Sequence, residues 1–203
     1  QLLWLEPDLI VMLTGLNDCH WAFGGLDVMY LRAYADEEFM GLINAARTIG
    51  GADPYPPEPP VYRPEPLAVE RVAERFAFNV RQTAAALQWR DVPLVVAFQP
   101  FLSPDTKELT PVEQRWTETD ENREKIAYMG RAFDLMEART RALLQPSGNG
   151  SWTPDRLHIL NLRDAFAGRS DPMFIDLYHV ADKGNAVVAG RLARELMQLG
   201  LLE

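Results

Sequence analysis

Asp176 and His179 are separated by two residues, a spacing with a definite chemical use. On a loop the two side chains can point the same way, so that the carboxylate accepts a hydrogen bond from the imidazole. Such a bond fixes the ring tautomer and stabilises the imidazolium that forms during acyl transfer. The other ring nitrogen is then free to act as a general base. Far upstream, Gly15-Leu16-Asn17-Asp18 offers a complementary group. The Asn17 amide can donate to a developing oxyanion, which in a dry site is worth on the order of 3 kcal/mol of barrier. Each pattern alone has a plain structural explanation. Asp-x-x-His is a common loop ahead of a helix, and Gly, Asn and Asp together suit a turn. Their joint placement carries the information, and that placement depends on the elements around them.

Pro7-Asp8 is a turn signal, and the apolar run Leu9 to Leu13 behind it predicts a strand buried on both faces. Residues 14–18 follow as a polar loop at its carboxyl end. Phe39, Leu42, Ile43, Ala46 and Ile49 recur at helical spacing up to Gly50-Gly51. Val69, Val72, Phe76, Val80 and Leu87 line one face of a helix from about 67 to 90. Leu94 to Phe98 predicts a second buried strand. Thr110-Pro111-Val112-Glu113 reads as a capping box opening a helical pattern that runs, through Ile126, Met129, Phe133 and Met136, to about Gln145. Leu157 to Leu162 predicts a third strand, and Asp182 to Leu199 a last helix with Val188, Leu192, Leu196 and Leu199 on one face. Strands alternating with helices imply an α/β domain with a parallel sheet covered on both faces. Function in such sheets gathers at the carboxyl ends of the strands. The 14–18 loop and the 176–179 segment both map there.

Residues 53–66 hold seven prolines, which excludes a helix or a central strand. They read as a surface insertion within one domain spanning 1–203, or else as a linker between two domains. The insertion is preferred because neither flank could build its own core. The net charge of −9 argues against nucleic acid and anionic lipid as partners. The single cysteine, Cys19, excludes an internal disulfide and a Cys-rich zinc site. No run of eighteen apolar residues exists, so no transmembrane segment is expected. Three strands are few for a parallel sheet, and the chain opens on Gln1 almost directly into a strand pattern. We therefore expect a chain whose first strands are missing, with an exposed sheet edge and reduced stability. Its beginning reports no localisation, cytoplasmic or secreted, and nothing in it sets an oligomeric state.

With these residues in view, Val11-Met12-Leu13-Thr14-Gly15-Leu16-Asn17-Asp18 resembles the third conserved block of the SGNH/GDSL hydrolases, Gly-x-Asn-Asp after a strand. Phe174-Ile175-Asp176-Leu177-Tyr178-His179, with Gly184 beyond it, resembles their fifth block, Asp-x-x-His. The resemblance covers the chain from about Pro7 onward, with 53–66 and 103–153 as variable insertions. It implies a flavodoxin-like three-layer α/β/α domain and a serine esterase or lipase-like acyl hydrolase that needs no cofactor. It implies Asn17 as an oxyanion donor, His179 as the base and Asp176 as its orienting acid, with Gly15 and Asp18 supporting the Asn17 loop. It implies a small-molecule, carbohydrate or lipid ester as substrate. The chain departs from the family at the nucleophile. Ser103, Ser147, Ser151 and Ser170 are the only serines, and none lies in a Gly-Asp-Ser context.

Other residues invite weaker readings. His20 and Trp21 could line the cleft or simply pack, and Tyr178 could border it. Phe23 and Tyr30 could line an acyl or sugar pocket. His158, within a strand, reads as structural, and Cys19 as a small buried residue. Asp176, His179 and His20 could hold a metal only if their loops converge. Asp120, Glu121 and Glu124 read as a solvated helix face. Two other functions compete: an inactive SGNH-like domain that binds carbohydrate or protein, and a flavodoxin-like nucleotide binder, for which no phosphate loop is present.

Overall fold

The structure is a computed structural model and describes residues 5–25, 37–53, 65–145 and 155–202. Most of the Pro-rich segment, and Tyr30, lie outside the described residues. The elements run β1 (Ile10–Thr14), α1 (Leu16–Phe23), α2 (Glu37–Ile49), α3 (Val69–Gln88), β2 (Leu94–Phe98), α4 (Pro111–Arg115), α5 (Asp120–Ala142), β3 (Leu157–Asn161) and α6 (Asp182–Gln198). None of the described helices is long and apolar enough to cross a membrane.

The described strands form one parallel sheet in the order β1-β2-β3. The register pairs Ile10 with Leu94 and Leu94 with Leu157, so Thr14, Phe98 and Asn161 end level at one edge. Backbone bonds carry the ladder one step further, from Gln99 N–H to the Thr14 carbonyl (3.2 Å) and from Leu162 N–H to the Phe98 carbonyl (3.0 Å). The central β2 is buried throughout, as an apolar run between two neighbours requires. β1 departs from the expected burial on both faces. Leu13 is 47% exposed, and the other residues of the strand are half-buried. Edge position alone is not the reason, since β3 also ends the described sheet and is mostly buried; α5 packs on β3, and no described helix packs as extensively on β1.

Side chains alternate along β2. Phe98 packs on Phe76 of α3 and Phe133 of α5, with ring centroids 5.5 and 5.9 Å apart, so these helices cover one face. Val95 and Ala97 point to the opposite face and are equally buried, and α6 adds Val188 and Leu196 to the same core. Tyr128 of α5 donates to the Leu67 carbonyl at 2.8 Å, tying α5 to the start of α3.

The helical pattern expected to run unbroken from residue 110 divides in two. The Thr110 capping box opens only the short α4, and Thr119 caps a fresh start by accepting from Asn122 N–H. Thr119-Asp120-Glu121 was legible as a helix start, and the i, i+3 periodicity beyond it masked the break.

Phe133 is fully buried and also meets Phe101 at 5.1 Å, so it joins α5 to β2 and to the segment that follows it. Phe133→Ala is expected to cost about 3–5 kcal/mol, read as a lower urea midpoint. An unchanged midpoint would contradict this packing.

Candidate active site

The chain leaves β1 through Gly15 at φ +106°, a left-handed conformation that side-chain-bearing residues rarely adopt. A Cβ there would also stand 3.1 Å from the Phe133 ring. The polar loop expected at 14–18 is instead a turn of one residue followed by a helix. Leu16, Cys19 and Ala22 are buried at helical spacing, and that apolar stripe turns the segment into α1. Asn17 therefore stands exposed in the first turn of a helix. The first-turn N–H groups and the helix dipole favour negative charge at this end. Asp18 is half-buried in the same turn. Burial pushes its carboxyl up, and a bond from its own backbone N–H opposes this only in part.

The 176–179 segment folds as a tight carboxylate-centred turn. Asp176 Oδ1 accepts from the backbone N–H groups of Tyr178 and His179, each at 2.7 Å. Oδ2 lies 2.7 Å from His179 Nδ1. The network assigns the ring proton to Nδ1, which leaves Nε2 bare on a side chain that is 70% exposed. Burial pushes the Asp176 carboxyl up, but bonds from the His179 ring and from the two N–H groups outweigh it. The carboxyl ends below its ordinary range and stays charged at neutral pH.

This turn is anchored at its tip and its base. Leu102, just beyond β2, donates its N–H to the Leu177 carbonyl at 3.0 Å. At the base, Phe174 and Val180 form an antiparallel bridge, with Ile175 N–H on the His179 carbonyl (2.9 Å) and Ala181 N–H on the Met173 carbonyl (2.7 Å). Gly184 of α6 closes against this base. A Cβ there would lie 2.6 Å from the Met173 carbonyl oxygen and closer still to Val180.

α1 and the turn meet through His20 and Tyr178, whose rings sit edge to face at 4.9 Å. Asn17 precedes His20 by one helical turn on the same face of α1. Burial lowers the His20 pKa, and the Lys125 and His179 charges lower it further, so these groups share one electrostatic environment. Lys125 of α5 spans the site, 5.9 Å from the Tyr178 ring centroid and 5.4 Å from that of Phe23. Beyond Phe23 lies an open surface depression of about 490 Å³, lined by Leu67, Val69 and Tyr128 and by the charged Glu70, Glu124 and Arg131. His20 Nδ1 and Tyr178 Oη are buried, with no hydrogen-bond partner among the described residues.

Several weaker readings find their place. Trp21 is 39% exposed and packs edge-on against His20 at 5.5 Å. Cys19 faces the core, where burial and then the Asp18 charge push its thiol far up, so it is no nucleophile. His158 is half-buried in β3, its pKa lowered first by burial and then by Arg156. Among the described residues no group of His, Cys, Asp and Glu could hold a metal ion. Ser103 is buried, and its Oγ accepts from Asp105 N–H to close a turn. Ser147 and Ser151 lie outside the described residues. Lys125 escaped the sequence reading, because an i, i+3 pattern places it on α5 without saying what lies above it.

Two measurements test this geometry. Gly15→Ala should destabilise the protein by more than about 1 kcal/mol, because alanine must adopt φ > 0 against the Phe133 ring. Wild-type stability in urea would contradict the assigned conformation. His20, with its pKa below the ordinary value near 6.5, resists protonation in the folded state. The unfolded chain takes up that proton first, so stability is full above pH 6.5 and falls as the pH drops from there toward the folded-state pKa. His20→Phe should flatten this acid-side loss, and an identical pH profile in the variant would remove His20 from the buried contact.

No family model, no characterised protein and no solved structure matches this chain, which leaves the chemistry of the site itself to indicate function.

Proposed function

We propose that this chain carries the acid–base half of a serine ester hydrolase of SGNH/GDSL type, on a flavodoxin-like three-layer α/β/α domain. The observation that carries the reading is the Asp176–His179 bond, made by a largely exposed imidazole on a turn that meets α1 through the Tyr178 and His20 rings. In this reading a serine hydroxyl attacks the ester carbonyl while His179 Nε2 takes its proton. Asp176 stabilises the imidazolium. The Asn17 amide and the first-turn N–H groups of α1 donate to the oxyanion. When the tetrahedral intermediate collapses, His179 returns the proton to the departing alcohol. Water then repeats the sequence on the acyl-enzyme, releasing the acid and restoring the serine.

The mechanism needs a nucleophilic serine, and none of Ser103, Ser147, Ser151 and Ser170 lies in a Gly-Asp-Ser context. Among the described residues no strand pairs with the outer edge of β1, which offers a place for it. A parallel strand added there would end level with Thr14, beside Gly15 and Asn17. The substrate is a carboxylic ester, with short acyl, acetylated sugar and lipid esters all compatible. An inactive SGNH-like binding domain would share the fold but would have no need of a free imidazole nitrogen.

The decisive material is the protein carrying the complete coding sequence, assayed with p-nitrophenyl acetate and a serine-directed phosphonate. Turnover is expected together with a single labelled serine. His179→Ala should lower kcat by roughly 10⁴-fold. Asn17→Ala should lower it roughly 10²- to 10³-fold. A silent protein with no labelled serine would overturn the hydrolase reading in favour of a binding domain.

A further inference from the structure

We infer that Glu113 is a positioning residue for the Asp176–His179 pair, clamping the backbone from which their turn springs; the catalytic part of this inference rests on the hydrolase reading. Glu113 is fully buried, and the Lys107 side chain beside it is 1% exposed. Oε2 accepts from Lys107 Nζ at 2.7 Å, from Thr110 N–H at 3.0 Å and from Thr110 Oγ1 at 2.9 Å. Oε1 reaches across the fold and accepts from Met173 N–H at 2.9 Å and Phe174 N–H at 3.3 Å.

A capping box explains only part of this. It asks that the side chain three residues into the helix return one bond to the N-cap N–H, which glutamate or glutamine can do from the surface. It does not ask for a buried charge with a buried counter-ion, nor for a second oxygen spent on a segment sixty residues away. Burying both charges is costly unless each is fully bonded, and here the carboxylate is bonded on both oxygens.

Met173 and Phe174 are the base of the Asp176 turn. The Met173 carbonyl holds Ala181 N–H, and Phe174 bridges Val180. With Glu113 at the base and Leu102 at the tip, the turn is held from two other parts of the chain. A general base needs this fixity, because a displacement of about 1 Å can cost on the order of 10²-fold in rate. Lys107 acts one step further back, by keeping the clamp ionised.

The test compares wild type with Glu113→Met, which removes both acceptor oxygens at similar volume, and with the double variant Lys107→Met/Glu113→Met. The double variant removes both charges, so it avoids leaving a lone buried ammonium if the single change fails to fold. The readout is amide hydrogen exchange. Exchange at Ile175, Tyr178, His179 and Ala181 should rise by roughly tenfold or more, while Val95 to Ala97 in β2 keep their protection. Unchanged exchange in the turn, or loss in step with β2, would overturn the clamp. In the complete protein, kcat should fall roughly 10²-fold with KM within about twofold of wild type. A wild-type kcat in a variant whose turn has loosened would overturn the positioning role. If the turn loosens and the complete wild-type protein is itself inactive, the clamp stands and only the hydrolase reading fails.

Discussion

A carboxylate can orient an imidazole only while it remains charged and remains in place. Asp176 satisfies both requirements within four residues. Two backbone N–H groups and the ring Nδ1–H converge on its oxygens, and together they hold its carboxyl below the ordinary range despite partial burial. One oxygen shapes the backbone and the other aims the ring. The same carboxylate that would stabilise an imidazolium therefore also builds the turn that presents it. The residue whose backbone N–H closes the turn on Oδ1 is also the one whose ring meets Oδ2.

Such a turn is local and polar, and by itself would fluctuate among loop conformations. Its position comes from apolar residues that flank it. Met173, Phe174 and Leu177 are buried, and Phe166 meets Phe174 edge to face at 5.2 Å. Gly184 lets the first turn of α6 approach the Met173 backbone without a side chain between. On the facing side, the absence of a Cβ at Gly15 admits the Phe133 ring and sets where α1 begins. Two glycines, one on each side of the site, thus mark where backbone and packing come closest.

The buried pair of Glu113 and Lys107 is a different device. Burial pushes the Glu113 carboxyl up, and the Lys107 ammonium with the surrounding N–H and O–H donors drives it lower again, leaving it below its ordinary range. Replacing such a pair with apolar side chains is often neutral or stabilising, so gain in stability is a poor explanation for its presence. Directionality is a better one. An apolar contact tolerates sliding, whereas two N–H donors on one carboxylate oxygen fix the Met173–Phe174 backbone relative to α4.

What the sequence by itself determined was set by interactions between near neighbours. The apolar run of β2, the stripes of α3 and α6, the Thr110–Glu113 box and the Asp176–His179 pair all depend on groups within a few residues, where spacing alone implies geometry. Even the two misread stretches carried local signals, in the Leu16, Cys19, Ala22 stripe of α1 and the Thr119 cap of α5. Only the tertiary structure decided that His20 meets Tyr178, that Lys125 spans Tyr178 and Phe23, and that the second oxygen of Glu113 reaches Met173. It also decided that β1 is half-exposed, which turns on how little the described helices cover it rather than on its composition. The physical reason is the same throughout. Periodicity reports which face of an element is apolar, while the partner across that face is chosen by chain topology and packing, over separations no local pattern encodes.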